Sequence, residues 1–106
     1  MATQKTPTKT IVTCAVTGAS LTPSMSPYLP VSPDEIAEQP IVAIEAGATI
    51  IHAHTRLSDG RPTNDTEIWR QFIPRLQKET PAIINMSAFL GKTAAERLEA
   101  VLGLAA

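Results

Sequence analysis

The chain has 106 residues, 43% of them hydrophobic, with 9 basic against 10 acidic residues and a formal net charge of -1. That balance gives no electrostatic case for nucleic acid or an anionic membrane surface as a partner, and the apolar content is that of a globular protein. No apolar run approaches the roughly 20 residues a membrane-spanning helix needs, and the single Cys14 has no partner for an internal disulfide, which points to a reducing, cytoplasmic setting.

Residues 1–9 are polar and threonine-rich, without the apolar segment of a signal peptide, and read as a disordered tail; residues 10–106 read as the ordered part. Thr10 to Val16 reads as a first strand, apolar on both faces as in a buried parallel sheet. A long loop follows from Thr17 to Val31, interrupted by Pro23, Pro27 and Pro30; connections of that length are usually functional or disordered. Ser32-Pro33-Asp34-Glu35 is a capping box with proline at the first helical position, opening a helix that runs to about Ala46 and stops at Gly47. Pro40 lies inside it and predicts a kink or a break, because it removes a hydrogen bond at a cost of about 3 kcal/mol.

Ala48 to His54 is a second strand, and Thr55 to Pro62 a loop with the turn signal Asp59-Gly60. Asn64 or Asp65 caps a second helix, whose residues Ile68, Trp69, Phe72, Ile73 and Leu76 share one apolar face, with a kink expected at Pro74. Pro81 to Met86 is a third strand. After the loop Ser87 to Lys92, a second capping box, Thr93-Ala94-Ala95-Glu96, opens a helix with Leu98, Val101 and Leu102 on one face. Three strand–helix units in succession predict an α/β fold with a parallel sheet and right-handed crossovers.

In such folds ligands bind at the carboxyl ends of the strands. The sequence puts Thr17 and Ser20 after the first strand, His52, His54 and Arg56 at the second, and Asn85 and Ser87 at the third. The chain has two histidines, both in His52-Ala53-His54. Residues i and i+2 of a strand share a face, so the imidazoles form either half of a zinc-type site or a hydrogen-bonded pair at a strand end. No further histidine is present, and neither Glu45, Asp59 nor Asp65 has a spacing that marks it as a third ligand. Arg56 has the planar fork for a carboxylate or phosphate, or is a surface arginine. Ser87 is placed to donate to a substrate oxygen or to cap a turn. Cys14 reads as a small core residue rather than a nucleophile, and Trp69 and Phe72 as helix–sheet packing.

Thr13-Cys14-Ala15-Val16-Thr17-Gly18-Ala19, followed by Thr22-Pro23-Ser24-Met25-Ser26-Pro27-Tyr28-Leu29-Pro30, closely resembles the amino-terminal signature of the β-keto acid cleavage enzymes, whose founding member is the 3-keto-5-aminohexanoate cleavage enzyme. The likeness continues through Glu35-Ile36-Ala37-Glu38, Glu45-Ala46-Gly47-Ala48, Ile51-His52-Ala53-His54, Asp59-Gly60-Arg61-Pro62-Thr63 and Ile83-Ile84-Asn85. The resemblance implies a (β/α)8 TIM barrel, of which this chain carries about the first three βα units. It implies a divalent metal, usually zinc, held by His52 and His54, and a reaction of a β-keto acid with acetyl-CoA that gives acetoacetate and a new acyl-CoA. It makes Ser87 and Arg56 catalytic or substrate-contacting residues. Thr17, Ser20 and Asn85 fall among the pocket-lining positions. Partners are then small molecules, and a homo-oligomer is expected.

Ser20 stands where the founding enzyme has a glutamate that recognises an amino group, which argues against an amino-bearing substrate. Ser87-Ala88-Phe89-Leu90-Gly91 replaces a glycine-rich turn. A barrel of this kind needs about 250 residues; the family's glutamate ligand, acidic base and partner arginine are expected beyond these three units, and the chain alone is expected to be inactive. Two other readings remain open: a non-catalytic partial barrel that self-associates, and a metal-dependent hydrolase, which also uses His-x-His at a strand end.

Overall fold

The computed structural model describes residues 8–105. Of the expected tail, residues 1–7 lie outside the described residues, while Thr8 and Lys9 are irregular and exposed. In chain order the elements are β1 (Thr13–Val16), α1 (Pro33–Glu45), β2 (Ile50–Ala53), β3 (Thr55–Arg56), β4 (Pro62–Thr63), α2 (Thr66–Arg70), α3 (Ile73–Glu79), β5 (Ile83–Met86) and α4 (Ala94–Leu104).

The main sheet is parallel and ordered β1-β2-β5, as the strand–helix alternation predicts. Side chains alternate across it. Val16, Ile51 and Ala53 are buried on one face, with Cys14, Ile84 and Met86 packed beside them. Thr13, Ala15, His52, Ile83 and Asn85 lie on the other face, where Ile83 is 66% exposed. The first strand is therefore not buried on both sides: helices cover one face only, and β1 and β5 are edge strands. Ile11 and Val12, read as its beginning, are exposed.

Ser32 caps α1 by accepting from the Glu35 amide at 3.2 Å, but the Glu35 carboxylate returns its bond to the Val31 amide at 3.0 Å rather than to Ser32. The expected break at Pro40 does not occur. The helix runs through it, and the ring is buried on the same face as Ile36 and Ala37, so apolar burial offsets the lost hydrogen bond. The helix ends in a Schellman motif: Gly47 N–H bonds Ile44 C=O and Ala48 N–H bonds Ala43 C=O, both at 3.0 Å, with Gly47 at φ 121°.

The second helix divides. Asp65 caps α2, accepting from Glu67 N–H at 2.9 Å, and α3 restarts with Pro74 in its first turn, since Pro74 has no N–H for the Arg70 carbonyl. Trp69, Phe72, Ile73 and Leu76 are buried in the core, as the apolar spacing predicts, and the Trp69 and Phe72 rings lie 5.5 Å apart. The segment read as a loop after the second strand holds a short antiparallel hairpin, β3–β4. The α4 capping box is complete in both directions, but Leu98 and Leu102 are 42% and 65% exposed. The helix packs on α2 with Ala100 buried, Gly103 beside Thr66 and Leu104 against the core, so Leu98 and Leu102 face outward. Thr93→Ala is expected to cost about 1 kcal/mol, read as a fall in the urea midpoint, by leaving the Glu96 amide without its cap.

Candidate metal centre

β2 is the central strand, and its carboxyl end is where parallel α/β folds gather their ligands. In register across the sheet stand Ala15, His52 and Asn85. Strand β2 ends at Ala53, so His54 sits at the junction with β3 rather than inside the strand. The two imidazoles are half-buried, with ring centres 5.1 Å apart and planes at 83°. Two imidazoles bound tetrahedrally to one ion at Zn–N distances of about 2.0–2.1 Å place their ring centres about 5 Å apart, so the separation of the pair is compatible with a shared ion. Burial, then His52, then Arg56 push the His54 pKa below its ordinary value, which favours the neutral form a metal requires. Among the described residues no group of three or more histidine, cysteine, aspartate or glutamate side chains surrounds the pair.

The remaining site residues fall into two sets. His52 Nδ1 lies 2.5 Å from Asn85 Oδ1. Ser87 is buried, its amide donating to Ala53 C=O at 2.9 Å, and it lines a small recess with His54, Phe89 and Leu90. Phe89, 46% exposed, meets the His54 ring edge-on at 5.4 Å between centres. Sequence reading missed this residue; its signal was an aromatic in the loop two positions after Ser87. Cys14 is a free, half-buried thiol whose pKa burial raises, in keeping with a packing role.

Arg56 and Thr17 form the other set. Arg56 is 2% exposed. Its Nε donates to Thr17 Oγ1 at 2.6 Å, one terminal nitrogen to Leu21 and Gly60 carbonyls at 2.7 Å each, and the other to Thr17 and Gly18 carbonyls at 2.8 and 3.1 Å. All five guanidinium N–H groups are thus committed. Arg56 is therefore not a surface arginine: in this arrangement its fork clamps the β1–α1 loop. The Thr17 hydroxyl in turn donates to Pro30 C=O at 2.6 Å, tying the two ends of that loop together. Thr17 holds φ 64°, a left-handed conformation unfavourable for a β-branched residue. Gly60 is required where it stands: at φ +92°, a Cβ there would lie 2.5 Å from the Pro23 ring. Ser20 is exposed on the same loop, and none of the hydrogen bonds among the described residues engages it. A larger open cleft, about 720 Å³, lies between α1, the hairpin and α2, with neither histidine in its wall.

A family model described as beta-keto acid cleavage enzyme matches residues 9–106. The chain belongs to the beta-keto acid cleavage enzyme family. It is similar to the 3,5-dioxohexanoate:acetyl-CoA acetone transferase of Paraburkholderia graminis, 47% identical over 102 residues, which cover 93% of this chain and 32% of that protein. It is 38% identical over 94 residues to the 3-keto-5-aminohexanoate cleavage enzyme of Fusobacterium nucleatum, covering 86% of the chain and 35% of the relative. It is 38% identical over 82 residues to the 3-dehydrocarnitine:acetyl-CoA trimethylamine transferase of Rhizobium meliloti, covering 76% and 27%. The chain therefore spans about a third of the length of these relatives. No helix among the described residues is long and apolar enough to cross a membrane.

Proposed function

We propose that the chain is the metal-binding amino-terminal part of an enzyme that joins a β-keto acid to acetyl-CoA, releasing acetoacetate and a new acyl-CoA. The observation that carries this reading is the facing His52–His54 pair at the carboxyl end of the central strand, in a chain of this family. The names of two relatives, each pairing a substrate with acetyl-CoA, support the co-substrate. A (β/α)8 barrel is supported by the sequential parallel order β1-β2-β5, the two open edge strands and the uncovered sheet face.

His52 and His54 would hold zinc, the divalent ion imidazole pairs suit, and a bound ion supplies Lewis acidity to a keto carbonyl. Ser87 stands beside His54 to donate to a substrate oxygen, and Phe89 shields that edge from water. Arg56 and Thr17 act through the loop they fix, holding the segment that carries Ser20 over the strand ends. The third ligand and the base come from the two-thirds of the relatives' length that this chain does not span.

The test is metal content together with turnover. Purified in zinc, the chain is expected to hold near-stoichiometric metal and to form no acetoacetate from acetyl-CoA and β-keto acids. A folded chain without zinc sinks the metal reading, and acetoacetate formation sinks the expected inactivity. The two open sheet edges favour a second reading, a partial barrel that pairs with another copy; a discrete folded oligomer without bound zinc in light scattering selects it.

A further inference from the structure

We propose that Asn85 is a positioning residue that fixes the tautomer of His52 and so presents its Nε2 lone pair to the metal. This rests on the metal reading above and names a determinant of that site. A neutral imidazole carries its proton on one nitrogen and accepts on the other. Asn85 Oδ1 is an acceptor only, so the facing Nδ1 of His52 must carry the proton, and Nε2 is left with the lone pair a ligand needs. Metal-binding histidines generally depend on such a partner on the other ring nitrogen.

The backbone makes this pairing durable. His52 and Asn85 are in register on adjacent parallel strands, β2 and β5, and their side chains lie on the same sheet face. The neighbour on the opposite flank is Ala15, whose methyl group offers no hydrogen bond. His54 has no comparable partner among the hydrogen bonds of the described residues; it is flanked by His52 and Phe89. Orientation of the pair therefore hinges on Asn85, whose own side chain is exposed and free to be changed without disturbing the core.

The experiment reads the tautomer in zinc-free protein by long-range ¹⁵N–¹H correlation spectra at pH 8, and zinc affinity by competition with a chromogenic chelator. Wild type, Asn85→Leu and Asn85→Asp are compared. His52 is expected as the Nδ1–H tautomer in wild type and to lose that preference in Asn85→Leu, with zinc bound about 10–100-fold more weakly. Asn85→Asp is expected to restore both, since a carboxylate accepts the same proton. An Nε2–H tautomer in wild type would mean the amide presents its NH₂ to the ring, and overturns the proposal. So does an Asn85→Leu variant with unchanged tautomer and affinity. Failure of wild type to bind zinc overturns the metal reading and the ligand-presenting role with it, whereas the tautomer stands or falls by its own spectrum.

Discussion

Arg56→Ala is expected to destabilise the chain by on the order of 3 kcal/mol or more, a loss comparable to the largest single-residue effects in small domains. The guanidinium is buried, makes five charge-assisted hydrogen bonds, and bridges three segments: Thr17–Leu21, the hairpin turn at Gly60, and its own strand. Truncation leaves its carbonyl acceptors without donors where water has little access. Burial lowers the Arg56 pKa, yet a guanidinium stays charged. Among the described residues the salt bridges engage Arg61, Arg70 and Arg75 instead, so the dipoles of the surrounding carbonyls and of the Thr17 hydroxyl balance Arg56.

Arg56→Lys should rescue little, because three donors at one point cannot span acceptors arranged around a planar fork. Arg70→Ala, which removes an exposed 3.4 Å pair with Glu67, should stay within about 0.5 kcal/mol of wild type. Urea unfolding of the three variants decides it: an Arg56→Lys midpoint equal to that of wild type would show that the fork is not what holds the loop. Hydrogen exchange at Gly18 to Leu21 should accelerate in Arg56→Ala before the rest of the chain opens.

The second large effect is at the histidines. His52→Ala with His54→Ala is expected to reduce bound zinc from near one per chain to background, with each single variant losing most of it, since two histidine ligands are already few and each single variant leaves one. Acid should do the same reversibly. The His54 pKa is lowered from 6.5 in the folded chain, so the folded state binds fewer protons there than the unfolded state. The resulting stability is complete above about pH 6.5 and is lost as the pH falls through the lowered value. A His54→Gln variant should flatten that acid dependence. In the metal-free chain, His52→Ala should move the His54 titration upward, by removing the second cause of its depression while burial remains. An unmoved His54 titration in the NMR spectrum would show that the two rings do not sense each other.

Local chemistry was largely legible in the sequence. Ser32, Asp65 and Thr93 were readable as caps, because a cap needs only a short side chain within three residues of the amide it serves. Gly47 was readable as a stop, and His52 and His54 as a pair, because both rest on spacings of a few residues. Pro74 marked a real division because its missing donor fell where α3 begins, whereas Pro40 broke nothing because its ring found a place in the core. That difference lies in what the helix face packs against, which no local rule contains. The exposure of Leu98 and Leu102 was not legible for the same reason: periodicity identifies an apolar face, and only the placement of α4 on α2 decides that Ala100 is the residue buried.

The site divides along the same line. Residue types and strand spacing were enough to place two imidazoles together and to read family membership from dense local motifs. The tertiary structure alone decided the partners of Arg56, Thr17 and Asn85, which lie 39, 13 and 33 residues away in sequence. Which of several plausible acceptors a fork or an amide meets depends on how strands align in register and how a loop folds back. Those are outcomes of long-range packing, which is why residue type alone left Arg56 open between a fork for substrate and a surface arginine, while the structure shows it buried and clamping the β1–α1 loop.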